Sequence, residues 1–186
     1  MPRNNPKLFV ISGGPGSGKT TVLMELAKLG FKPASEVARQ IIQEQMQING
    51  TALPWHDRTA YTRLMLKRSI ESYLQHSRIE TAMFSDRGIP DTLGYAKLIG
   101  LCDHELVEEI TDACLEYRYA PIVFLAPPWK EIYETDSERK QDFDEAERTF
   151  TQVSEVYRRC GYESILLPKL TPSARAQFIL DRLRRK

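Results

Sequence analysis

Short runs of consecutive apolar residues alternate along the chain with longer stretches in which apolar positions recur every third or fourth residue. The first pattern predicts buried strands, the second amphipathic helices. Residues 7–12 (KLFVIS) predict a first strand and 18–29 a helix, with Val22, Leu23, Leu26 and Leu29 on one face and Gly30 as its stop. Residues 31–33 (FKP) predict a short second strand. Ser35 stands where it can cap a helix from Glu36 to about Ile48, which Asn49-Gly50 ends. After a loop with Pro54, a helical pattern runs over about 57–75. The stretch ETAMFSDRG (80–88) predicts a buried strand ending near Ser85, and PDTLGYAKLIG and 104–117 predict helices. APIVFLAPPW (120–129) is the clearest buried strand. Residues 130–141 are charge-rich, 142–160 read as a helix ended by Gly161, ESILLP (163–168) as a last strand, and the chain from about Ser173 as a last helix.

Strands alternating with helices predict an α/β fold with a parallel sheet covered on both faces. Ligands of such sheets sit beyond the C-terminal ends of the strands. Polar clusters follow the first four predicted strands: residues 13–20, Glu36 with Arg39, Asp86 with Arg87, and the charged segment after Trp129. Gathered at one edge, they make one site. A length of 186 residues suits a single domain, 1–186, and no repeat, low-complexity segment or linker interrupts it.

Composition mainly excludes. Lysine and arginine number 26 against 25 aspartates and glutamates, a net charge of +1, so nucleic acid is not an expected partner. The basic tail DRLRRK suits a helix C-terminus. Cys102, Cys114 and Cys160 are odd in number and lack C-x-x-C spacing, which predicts reduced thiols, and His56, His76 and His104 form no ligand pattern. No apolar run reaches membrane-spanning length, and MPRNNPK lacks a signal-peptide core. A soluble, cytoplasmic protein with no membrane partner is expected.

Chemistry enters at GGPGSGKT, which fits G-x-x-x-x-G-K-[ST] between an apolar strand and an amphipathic helix. Glycines let successive backbone N–H groups turn around a phosphate, and the following helix adds the positive end of its dipole. Gly13, Gly14, Pro15, Gly16, Ser17, Gly18, Lys19, Thr20 and Thr21 are therefore the expected nucleotide-binding residues. Lys19 would reach the β- and γ-phosphates, and the Thr20 hydroxyl would hold Mg²⁺. No N-K-x-D base-reading motif is present, and no apolar run ends in adjacent acids as in AAA-type hydrolases. Instead MFSDRG follows a strand. Asp86 can organise Mg²⁺ through water or take a proton, and Arg87 can pair with an anionic oxygen; the alternative is a surface ion pair at a turn. Glu36 and Arg39 share a helix face, either as base and substrate-positioning group or as an exposed ion pair worth only ~0.3–0.5 kcal/mol. The charge run at 134–148 is either a solvated helix face or a lid bringing Arg139 or Lys140 to the transferred phosphoryl. Core packing is the expected place of Trp55 and Trp129, with stacking on a flat ring as the alternative, and Met24, Met46, Met65 and Met83 are expected in the core.

On these residues the chain resembles the P-loop family that joins ribosylnicotinamide-kinase-like domains with predicted AAA-type ATPases. The resemblance rests on SGGPGSGKTT, EVAR, FSDRGIPDTLGYA, FLAPPW and IYETDSERK and runs from about residue 7 to the last helix. It implies a three-layer P-loop NTPase fold, nucleoside-kinase-like, with a five-stranded parallel sheet and a lid at about 130–148. It also implies ATP or GTP at 13–20, Glu36 in the place of the family's base, Asp86-Arg87 in that of its D/E-R pair, and a lid arginine near Arg139. The expected activity is transfer of the γ-phosphoryl of ATP to a hydroxyl of a small, nucleoside-like metabolite. An ATPase or GTPase coupled to a protein partner and a nucleotide-responsive binding module stay open as alternatives, as does the oligomeric state.

Overall fold

A computed structural model of the chain describes residues 2–34, 36–133 and 142–184. Its elements run β1 (Arg3–Asn4), β2 (Leu8–Gly13), α1 (Lys19–Lys28), β3 (Pro33–Ala34), α2 (Val37–Gln47), α3 (Arg58–Gln75), β4 (Met83–Asp86) and α4 (Ile89–Leu98). Then follow α5 (His104–Glu116), β5 (Tyr117–Arg118), β6 (Ile122–Ala126), a 3₁₀ turn (Lys130–Ile132), α6 (Phe143–Arg159), β7 (Glu163–Leu166) and α7 (Pro172–Arg184). Five strands form one parallel sheet in the order β3-β4-β2-β6-β7, and β1 pairs with β5 apart from it.

The alternation of side chains explains why the central strands read as unbroken apolar runs. In β2, Leu8 and Val10 enter one core while Phe9 and Ile11 enter the other. In β6, Val123 and Leu125 face the first, and Ile122, Phe124 and Ala126 the second. Helices α4, α5 and α6 cover the first face; α1 and α7 cover the second. Both faces are dry, so polar alternation disappears. A third cluster of Ile41, Ile42, Leu53, Tyr61 and Met65 ties α2 to α3.

Helix ends follow local chemistry. Asp57, Asp103 and Asp142 accept from backbone N–H groups three residues on, capping α3, α5 and α6. The chain leaves α1 and α6 through Gly30 and Gly161, whose φ of 92° and 78° is the left-handed region glycine tolerates. Two expectations fail in detail. Glu36 is the residue before α2 rather than its first turn, and Ser35 lies outside the described residues. Met65 and Met83 are buried as expected, but Met24 and Met46 are 59% and 49% exposed on the outer faces of their helices.

Candidate active site

The C-terminal ends of the strands open into a cleft of about 1150 Å³. The turn after β2 forms its floor. Lys19, at the start of α1, is buried, and its Nζ donates to the carbonyls of Gly14 (2.9 Å) and Gly13 (3.4 Å). Ser17 Oγ donates to the Gly14 carbonyl at 2.8 Å. These bonds hold a loop whose turns at Gly16 and Gly18 need φ of 70° and 77°. A Cβ on Gly16 would fall 2.7 Å from Cε2 of the Tyr133 ring, which lies on the loop. Burial, and then the charge of Arg87, pulls the Lys19 pKa down to about 8, as expected of an ammonium awaiting an anion. Pro15 to Thr21 line the cleft, with Thr20 exposed in it; Gly13 and Gly14 stand behind as acceptors for Lys19.

Arg87 follows β4 at φ 71°, a strained conformation for a residue with a side chain. The strain is over-determined by contacts. Its N–H donates to the Ile11 carbonyl, its carbonyl accepts from Ser85 Oγ, and its Nη1 donates to the Gly13 carbonyl (2.9 Å) and Asp91 Oδ1 (3.2 Å). Burial opposes the Arg87 charge, but Asp91, Asp86 and Glu36 outweigh it and its pKa is raised.

Asp91 is the residue that sequence reading missed. It is 3% exposed and accepts from Ser12 Oγ (2.5 Å), Gly88 N (2.9 Å), Tyr157 Oη (2.7 Å) and Arg87. One carboxylate thus joins β2, the turn after β4, α4 and α6. The signal available was an acid three residues after Gly88, at the start of a helix.

The other expected residues divide. Glu36 and Arg39 both line the cleft and pair loosely at 4.0 Å. Asp86 does not line it. It lies behind, on a cavity of about 20 Å³, room for about one water. Burial raises its carboxyl to about 6 against the pull of Lys19, and its Oδ1 is buried without a hydrogen-bond partner among the described residues. Arg139 and Lys140 fall outside the described residues; Glu131 and Ile132 before that segment, and Glu145, Arg148 and Thr149 after it, line the cleft. Trp55 and Trp129, expected in the core, instead line the cleft, Trp55 39% exposed. The chain after a fifth strand contributes as well: Leu170 and Thr171 before α7 and Pro172 and Arg175 in its first turn line the cleft, Arg175 beside Gly18.

Apolar and aromatic side chains from α2, the loop before α3, α3 and the end of α4 also line the cleft: Ile42, Trp55, Tyr61, Met65, Tyr95, Leu98 and Ile99. Tyr61 and Tyr95 meet edge to face at 5.5 Å, and the Tyr95 hydroxyl is buried without a partner among the described residues. No group of three or more His, Cys, Asp or Glu among the described residues could hold a metal, and no helix among them is long and apolar enough to cross a membrane.

No curated protein matches the chain. Solved structures do, at low identity. The deoxyadenosine kinase from M. mycoides, solved with dCMP and a flexible dCDP bound, is 16% identical, with 96% of this chain and 100% of that one aligned and a TM-score of 0.69. The NadR protein in complex with NR is 17% identical at a TM-score of 0.73; 96% of this chain aligns, spanning 51% of that protein. Thymidylate kinase from Ehrlichia chaffeensis is 14% identical over 98% of this chain and all of that one, at a TM-score of 0.64. The fold, a five-stranded parallel sheet flanked by helices, therefore matches that of these nucleoside and nucleotide kinases. The model of one family, described as an AAA domain, matches residues 8–175, and the chain is a member of that AAA domain family, built on a P-loop kinase-like fold.

Proposed function

We propose that the protein is a Mg²⁺-dependent phosphotransferase that moves the γ-phosphoryl of ATP, or GTP, to a hydroxyl of a small nucleoside-like metabolite. The observation that carries this reading is the size and mixed lining of the cleft, phosphate-loop residues together with Trp55, Tyr61 and Tyr95. Its volume of about 1150 Å³ exceeds the roughly 300–1,000 Å³ that one small ligand fills. A hydrolase needs space for water beside the phosphate loop; the aromatic lining of Trp55, Tyr61 and Tyr95 suits a planar second substrate.

Residues Gly13 to Thr21 would take the phosphates. Lys19, already stripped of water, moves from its loop carbonyls to the β- and γ-phosphates. Arg87, held at fixed orientation, balances charge on the transferred group, and Arg148 offers a further cation on the α6 wall. Glu36, which lines the cleft, takes the acceptor proton in preference to Asp86, which stands behind it; Arg39 positions the acceptor. The residues fit Mg²⁺: Thr20 offers a hydroxyl, Asp86 a buried unpartnered oxygen acting through water, and this ion asks for few protein ligands beside phosphate. When bound, it neutralises charge on the β- and γ-phosphates. Because the phosphate loop and helices α1, α2, α3, α4, α6 and α7 all reach this cleft, residues 1–186 are read as one domain.

The test is incubation with γ-labelled ATP, Mg²⁺ and a deproteinised metabolite extract, beside Lys19→Ala. Label in a new small molecule, lost in the variant, is the expected result. Label only in free phosphate, equal with and without extract, refutes the kinase and leaves a partner-coupled NTPase.

A further inference from the structure

Arg175 stands among the largest fully buried side chains, at 2% exposure, in the first turn of α7. Its Nη1 donates to the Ser17 carbonyl at 2.9 Å, and its Nε is buried without a partner among the described residues. Among the described residues no carboxylate pairs with it, and burial alone pulls its pKa down from the usual arginine value. A guanidinium does not give up its proton in a protein, so the chain carries a buried, unbalanced charge.

The surroundings deepen that imbalance. The start of a helix is its positive end, and a cation there is opposed by the dipole. Arg175 meets that opposition from its own helix. It also faces the start of α1, since a Cβ on Gly18 would lie 2.8 Å from its Nη1. Lys19 is the next residue along. Holding a buried charge where two helix N-termini and a lysine converge is unfavourable unless an anion joins them. The bond to Ser17 has a second effect. In a trans peptide the C=O and the next N–H point opposite ways, so Arg175 turns the Gly18 N–H away from α7.

We propose that Arg175 is a phosphate-binding residue, a second cation beside Lys19, whose charge is balanced when the polyphosphate of a nucleotide occupies the loop. This rests on the nucleotide reading above and names a residue that the phosphate-loop motif does not contain. Two consequences separate it from a structural pin. Without ligand, the charge works against folding, so neutralising it leaves stability unchanged or raises it. With ligand, the loss falls on phosphate-bearing molecules.

The full chain as wild type, Arg175→Gln and Arg175→Lys is titrated calorimetrically with ATP and with inorganic tripolyphosphate, and each protein is melted without ligand. The expected result is a loss of about tenfold to a hundredfold in affinity for both probes in Arg175→Gln, as for one charged hydrogen bond. Arg175→Lys recovers part of the affinity, and the ligand-free melting midpoint of Arg175→Gln does not fall. Wild-type affinity in Arg175→Gln overturns the proposal. So does a ligand-free Arg175→Gln that melts earlier or fails to fold, with no recovery in Arg175→Lys, because the guanidinium then serves the fold. A wild type that binds neither probe overturns the nucleotide reading itself, and this inference with it.

Discussion

Replacing Asp91 by asparagine changes one atom and tests the centre of the site. Each carboxylate oxygen takes two donors: Ser12 Oγ and Arg87 Nη1 on Oδ1, Gly88 N and Tyr157 Oη on Oδ2. An asparagine must turn its NH₂ toward one of these pairs. The hydroxyl in either pair can rotate and accept instead of donate. The Gly88 amide and the Arg87 guanidinium cannot, so one fixed donor is left facing another. An unsatisfied buried donor costs about 1–3 kcal/mol, and the lost charge on the Arg87 pair brings the total to roughly 3–5 kcal/mol, as for other buried pairs that lose one member. Solvent screens little of this, since the two side chains are 18% and 3% exposed. Against a total stability of about 5–15 kcal/mol the loss is large, and for a chain of this length it lowers the melting midpoint by roughly 10 °C. Urea unfolding of Asp91→Asn, Arg87→Met and the double variant measures it. The reasoning expects the double variant to be more stable than the sum of singles by about 2 kcal/mol, because Asp91→Asn then strands no charge. A loss below about 1 kcal/mol in Asp91→Asn, or strict additivity, would refute the account of Asp91 as the anchor of Arg87.

Gly94 lies where α4 meets α6, and a Cβ there would sit 2.9 Å from Val153 Cγ2 and 3.2 Å from its Cα. Alanine gains about 1 kcal/mol of helix propensity and loses about 1–3 to overpacking against backbone, so Gly94→Ala is expected to destabilise by about 1 kcal/mol in chemical denaturation; a stabilised variant contradicts the packing argument. Tyr95→Phe removes a buried hydroxyl with no partner, so stability should hold or rise slightly while the KM for the acceptor rises about tenfold and that for ATP stays; equal KM values for both variant and wild type would detach Tyr95 from acceptor binding. The hydrogen bond from Cys114, against burial and aided by Arg118 and Lys97, draws the Cys160 thiol down to about 7. A lowered pKa means thiolate accumulates as pH rises through that value. Iodoacetamide labelling of Cys160, read by peptide mass, should therefore accelerate between roughly pH 6 and 8, and Cys114→Ala should move the rise upward; an unchanged profile would deny the thiol–thiol bond.

How far the sequence could be read depends on the range of the interaction concerned. Strands β2, β4 and β6 and helices α1, α3, α5 and α6 were legible because each carries its own signal within a few residues, an apolar run or a repeated apolar face, joined in α3, α5 and α6 by an aspartate cap. The two-residue strands β1 and β5 carry none, being defined only by each other across the chain. Met24 and Met46 misled because hydrophobicity says what can be buried, not which helix faces are covered. The polar residues of the site show the same division. The phosphate loop is local, so its glycines, Lys19 and Thr20 announce themselves. Asp91 is defined by Ser12 and Tyr157, 79 and 66 residues away, and in one dimension it is an ordinary acid near the start of a helix. Arg175 is the instructive middle case. With Ala176, Ile179 and Leu180 it forms the buried side of α7, so an arginine written into an apolar stripe was visible in the sequence all along. Read for amphipathicity alone, it passes as an irregularity in the pattern. Read as a charge that the helix must bury, it requires either an acid or a bound anion, and the structure supplies no acid among the described residues. Breaks in an apolar period that place a cation inside therefore point to ligands more directly than exposed helix charges such as Asp144 and Glu147 of α6, which water satisfies at no cost to the fold.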